Sequence, residues 1–208
     1  APYFLTLKTA YITSVSYSNV YLSNTVSSSK MAFAYRLSSN VIVEIETKED
    51  LLNMNQGYLY LLKNDIDLYG IEWSGSDFFG VFDGNGYSIT NMTIVNTFTD
   101  NNYSAGLFKN ANGIIQNLTV KDTTVIITIE TTGPNAYKTT FGTFAATSSN
   151  LAIYKCNSIG NSVKFTNNSD QYPLLNGIGG FVGESSGLIV KESYVTGSVD
   201  NNITDCVR

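Results

Sequence analysis

Histidine is absent from the 208 residues, which carry a formal net charge of −5 and only 14% charged side chains. Without it there can be no Ser-His-Asp or Cys-His catalysis and no His-ligated zinc or haem, and two cysteines cannot form a four-thiolate metal site. The acidic balance disfavours nonspecific nucleic-acid binding and docking on anionic lipid; apolar runs of four or five residues are too short to span a membrane.

Asn, Ser and Thr number 23, 22 and 22, about a third of the chain, and Tyr is abundant at 14. An uncharged, polar and aromatic-rich composition with three prolines suits β-structure with many solvated turns. No basic stretch followed by an apolar one opens the chain, so no signal peptide is expected at Ala1.

Tyr3 to Leu22 is β-rich in composition. A serine run at 27–29 reads as a turn. From Met31 to Ile45 the odd positions are apolar with one exception (Met31, Phe33, Tyr35, Leu37, Val41, Val43, Ile45), the period of a half-buried strand. Residues 1–46 are therefore expected to form an N-terminal β-strand extension, followed by a domain over 47–208. Thr47, with an acid three residues later at Asp50, opens a short helix predicted over 47–56 by a capping-box pattern.

Beyond the helix, four segments repeat. Gly80–Gly86 leads to Ile89–Ile94, Gly106–Phe108 to Ile115–Val120, Gly142–Phe144 to Ile153–Cys156, and Gly180–Gly183 to Val190–Val195. Steps between the aligned Ile/Val positions are 26, 38 and 37 residues. A unit of this size without a helical pattern must stack on its neighbours to bury an apolar side, which predicts a solenoid of short strands. Ile89, Ile115, Ile153 and Val190 are expected to stack along one inner face, with Phe82, Phe108 and Phe144 in a second stack.

Gly179–Gly187 running into Tyr194–Val199 resembles the GLUG motif of bacterial and other cell-surface proteins. Tyr58–Leu68 followed by Phe79–Ile89 is similar to the start of such repeats, and similar segments occur in N-terminal regions of the streptococcal-type IgA-protease family. The resemblance implies an all-β, right-handed parallel β-helix over roughly 47–200. It carries no protease activity, because that family's zinc motif needs His-Glu-x-x-His. The Gly142 unit departs from the pattern, with Asn150 where a Gly is expected.

Candidate sites are few. Asn91 and Asn117 fall at one place in successive units, where stacked asparagines suit a left-handed turn. Asp83, Asn85, Asp65 and Asp67 could suggest calcium, which wants six or more oxygens; a turn at Asp83-Gly84 is the simpler reading, and no metal or cofactor is expected. Of the dense acids Asp65, Asp67, Asp77 and Asp83, none recurs in later units as a glycosidase pair would require. Trp73, Phe78 and Phe79 are a candidate sugar-stacking cluster, but core or end cap is the preferred reading. Sequons occur at Asn91, Asn102, Asn117, Asn167 and Asn202, though roughly five are expected by chance at this composition. Cys156 and Cys206 are expected to pair, a buried free Cys156 being the alternative.

These readings converge on an extracellular or cell-surface protein that is structural or adhesive and not an enzyme. The far end of the solenoid lacks a cap, and Met31, Phe33, Tyr35 and Leu37 supply an apolar strand lacking a partner. Head-to-tail self-association through the N-terminal strands, giving a fibre or stalk, is the expected assembly. The alternative is a carbohydrate-binding or carbohydrate-cleaving β-helix, with a glycan as the partner.

Overall fold

A computed structural model describes residues 24–27, 30–33, 42–54, 58–98, 102–130, 138–168 and 174–202. Strands β1 (Asn24–Ser27) and β2 (Lys30–Phe33) pair antiparallel around the serine run, with Ser27 opposite Lys30. Strand β3 (Ile42–Ile45) follows, so the alternation from Met31 to Ile45 is shared by two strands in different sheets. Tyr35 and Leu37 lie outside the described residues.

Helix α1 (Lys48–Leu52) begins where the capping box placed it. The Thr47 hydroxyl accepts from the Asp50 amide at 3.2 Å, and the Asp50 carboxylate accepts from the Thr47 amide at 2.9 Å. These bonds satisfy amides that an uncapped first turn leaves orphaned. The Thr47 hydroxyl, with the Glu46 and Thr47 amides, holds the Asp50 carboxyl below its ordinary range. The helix ends at Asn53, before the expected boundary, and buries Leu51 against the core.

All remaining elements are strands, added in layers. The first layer is β4 (Tyr58–Leu62) and β5 (Ile66–Asp67). The first repeat unit is β6 (Ser76–Asp83), β7 (Ser88–Thr90), β8 (Thr93–Phe98) and β9 (Tyr103–Ala105). The second is β10 (Phe108–Gln116), β11 (Thr119–Lys121), β12 (Thr124–Ile129) and β13 (Lys138–Gly142). The third is β14 (Ala145–Tyr154), β15 (Asn157–Asn167) and β16 (Leu174–Gly179). The fourth is β17 (Val182–Lys191) and β18 (Tyr194–Asn202).

Each unit deposits its strands parallel to those of the previous one. Three parallel sheets result: β17-β14-β10-β6-β4-β3; β5-β7-β11-β15-β12-β8 with β18 added on β15; and β16-β13-β9. Side chains of matching register therefore form rows from layer to layer. In the six-stranded sheet Val43, Tyr60, Phe82, Ile115, Ile153 and Val190 make one such row on the core side. In the seven-stranded sheet Ile94, Val125, Val163 and Val199 make another.

The row through Ile115 corrects the first step of the repeat. Phe82 stands opposite Ile115, whereas Ile89 stands opposite Val120 in another sheet. The reason is local: Ile89–Ile94 and Val120–Val125 share one pattern, apolar-x-polar-x-x-apolar, because each turns the same corner. Asn91 is thus equivalent to Asp122, with φ of 57° and 58°, while Asn117, Lys155 and Glu192 share the other corner at φ 52°, 50° and 50°. No asparagine ladder joins Asn91 to Asn117. Their side-chain amides instead donate to the previous layer, Asn91 to Asp67 at 2.9 Å and Asn117 to Asp83 at 3.0 Å.

The expected phenylalanine stack is also rearranged. Phe108 stands opposite Ala145 and Ser76. Tyr60, Phe82, Phe78 and Phe108 nonetheless form a continuous aromatic cluster, with Phe78 stacked on Phe108 at 4.5 Å between centroids. Phe144 packs on Phe181 at 5.5 Å. Close layer contact is fixed at Gly113, where φ is 129° and an added Cβ would meet the Gly80 carbonyl oxygen at 2.0 Å. Asn150, standing where a glycine was expected, takes φ 64°, a conformation asparagine tolerates better than most residues.

Candidate docking surface at the C-terminal end

The fourth unit is the last of the described layers, and each of its inner rows changes character there. In the rows of Ile115, Val120 and Val125 the preceding members Ile153, Ser158 and Val163 are buried. The last members Val190, Val195 and Val199 are 37%, 43% and 57% exposed. Their positions in the sequence match buried positions in earlier units. Burial would need a further layer beyond them. Among the described residues, β17, β18 and β16 each pair on one side only, with β14, β15 and β13. The outer backbone edge of all three is thus a template for strand addition.

A cavity of about 190 Å³ opens beside the fourth unit, over strands of the second and third. Phe141, Ile178, Val195 and Val199 wall it, over a polar floor of Thr143, Ser158 and Asn161. The floor is internally satisfied. The Asn161 amide donates to Ser158 Oγ at 2.6 Å, and Ser158 Oγ donates to Thr143 Oγ1 at 3.0 Å. Asn161 Oδ1 accepts from the Thr123 amide at 2.9 Å. The void follows from register: β15 and β18 are out of step between Ser158 and Asn161, which puts Gly197, without a side chain, opposite Asn161.

The acids expected near the first unit serve its turns. Asp83 accepts from the Asn85 amide at 2.8 Å and from Gln116 Nε2 at 2.8 Å. Asp65 accepts from the Ser88 amide at 2.7 Å, and Asp67 from the Tyr69 amide at 2.9 Å. The Asn91 amide and the Tyr69 N–H hold the Asp67 carboxyl below its ordinary range. Among the described residues no group of three or more acids or cysteines could hold a metal ion, and no helix is long and apolar enough to cross a membrane.

Trp73 is 3% exposed, and its indole N–H is directed at the carbonyls of Gly106 and Leu107 at 3.2 and 3.1 Å. Phe78 is buried with it and Phe79 partly so. The core reading of the cluster therefore fits Trp73 and Phe78, whose rings are spent on the interior and present no face to a ligand. Of the sequons, Asn102 is exposed, with its Oδ1 accepting from the Lys138 amide at 2.7 Å. Asn91 and Asn117 are partly buried at corners, and Asn167 and Asn202 end β15 and β18. Cys156 is a free, buried thiol whose pKa is pushed up to about 12, chiefly by burial; Cys206 lies outside the described residues. Of the expected assembly residues, Met31 and Phe33 lie in β2, opposite Val26 and Asn24.

No protein-family model matches the chain, and no curated protein matches it. A solved structure from Bacteroides ovatus, described as “a putative immunoglobulin A1 protease”, is similar at 16% sequence identity and a TM-score of 0.39, over 77% of this chain and 67% of that one. At that distance the likeness carries nothing about activity.

Proposed function

We propose that this chain is a right-handed parallel β-helix of the GLUG-repeat kind and a structural or adhesive element of a cell surface, without catalytic activity. Copies add end to end. The observation that supports the reading is the fourth unit, where three inner valines are exposed and, among the described residues, three strand edges have no partner. The other end offers the complement. β3 is the opposite edge of the same six-stranded sheet and runs parallel to it, and Ile42 is 40% exposed. A second copy placed with its β3 beside β17 extends the sheet and continues the row Val43 to Val190. Donor and acceptor are different surfaces, so repetition gives a filament unless the contact closes into a ring.

Analytical ultracentrifugation and negative-stain microscopy of the full chain test this, beside a Val195→Asp, Val199→Asp variant that alters only side chains exposed at that end. Concentration-dependent rods in the wild type that vanish in the variant are expected. A monodisperse monomer at high concentration overturns the reading. Surface labelling of intact source cells should reach the protein; labelling only after permeabilisation overturns the assignment to the cell surface.

A further inference from the structure

We propose that the outer face of the six-stranded sheet is a docking surface occupied by the first 41 residues of the same chain. Successive residues of a strand point to opposite faces. Tyr60, Phe82, Ile115 and Ile153 join the central core, and their neighbours Leu59, Val81, Ile114 and Ala152 therefore point the other way, outside that core cluster. An outward row on a stacked sheet should be polar and wet. This one is aliphatic, in register across four strands, and 6%, 1%, 0% and 0% exposed. A sheet that is apolar on both faces must be covered on both.

The footprint of the cover is readable from exposure. The row continues to Ile42 at one end and Ile189 at the other, and both are more open than the four residues between them. Four strands spaced about 4.8 Å apart make a strip of about 15–20 Å, the length of a five- or six-residue strand laid across them.

The burial arises within one chain, so the cover belongs to that chain. On its inner face this sheet shares one core with the seven-stranded sheet, Tyr60, Phe82 and Ile115 packing in a cluster with Ile89, Val120 and Val125. The cover of the outer face must then come from outside the elements that build that core. Residues 131–137 and 169–173 join the other two sheets, 203–208 are polar and short, and 55–57 and 99–101 are three residues each. Residues 1–41 are the longest stretch, and they lead directly into β3, the edge strand of this very sheet. They carry apolar residues at alternate positions, Met31, Phe33, Tyr35 and Leu37. They also contain the β1–β2 pair, a two-stranded sheet joined to none of the other three. Such a pair is marginal in water unless it packs on an apolar surface.

This inference is independent of assembly, since β3 and the C-terminal end are left for contact between copies. A photo-crosslinking residue placed at Leu61, or in a second protein at Ile189, probes the rim of the strip in the full chain. Irradiation of a mixture with isotope-labelled copies should join these positions to residues 1–41 of the same chain. Cross-links to another segment, to residues 1–41 of a second copy, or to nothing overturn the proposal. In parallel, Ala152→Asp should accelerate trypsin cleavage after Lys8, Lys30 and Arg36 about tenfold, by raising the open population. Ser149→Asp, an exposed site on the same strand, should leave it unchanged. Cys156 remaining unreactive in both variants shows that the stack itself is intact. Equal cleavage of the two variants overturns the proposal.

Discussion

The two ends of the stack are built from similar sequence and finish in opposite states. At the N-terminal end Ile45 of β3, Leu51 of α1 and Leu62, paired with Ile45, are buried. A five-residue helix held by one capping box suffices to turn the chain over the first layer. At the C-terminal end the valines of the fourth unit occupy positions that are buried in every earlier unit, yet they are exposed. An inner residue of a layered protein is buried by the layer after it as much as by its own. Its hydrophobicity is a property of sequence, whereas its contribution to stability depends on place in the stack.

The largest expected effect tests that difference within one row. Ile115→Ala should cost about 2–5 kcal/mol, the range for fully buried large-to-small changes. Val190→Ala, two layers later in the same row, should cost below about 1 kcal/mol, because its side chain is already partly hydrated. Equal costs in urea unfolding would break the comparison. The thiol of Cys156, one layer beneath the open end, sharpens it by pH. Its folded pKa lies above the unfolded one, so the stability it confers is fully present below about pH 9. That stability is lost progressively as the pH rises towards about 12, because only the unfolded thiol ionises in this window. Cys156→Ser should flatten the alkaline decline in a series of denaturant titrations. A wild type unaffected between those values would show that the fourth unit does not keep water from the thiol.

At the closed end Thr47→Ala should cost about 1 kcal/mol, the ordinary value of an N-cap, measured as a shift in the urea midpoint. No change would mean that α1 is held by Leu51 alone. The smallest effect is expected at Asn150→Gly, within about 0.5 kcal/mol, since the left-handed backbone there suits either residue. A loss above that would assign the Asn150 side chain a structural task of its own.

What could be read in advance follows physical range. The capping box at Thr47 and Asp50 is decided within four residues, and its start is correct in the sequence. The steps of 38 and 37 residues between Ile115, Ile153 and Val190 are also correct, because those units turn the corner after β10 and β14 with two residues each. The first step fails because Gly84–Tyr87 puts four residues into that corner, and because two corners of one unit share a sequence pattern. The buried outer row was not legible, although triplets such as Ile114-Ile115-Gln116 and Leu188-Ile189-Val190 carry its trace. Consecutive aliphatics mark a strand covered on both sides but do not name the cover.

The cavity over Ser158 and Asn161 has a mechanical consequence. Hydrogen bonds between layers run along the stacking direction, so tension between the two ends loads successive ladders in series, and the weakest plane yields first. Beside Asn161 a void replaces side-chain contact with the fourth unit, where Gly197 contributes none, and among the described residues that unit is held by a partner on one side only. Under load that unit should peel away alone and leave the lower layers intact. Single-molecule pulling would then show one low-force event preceding a larger one.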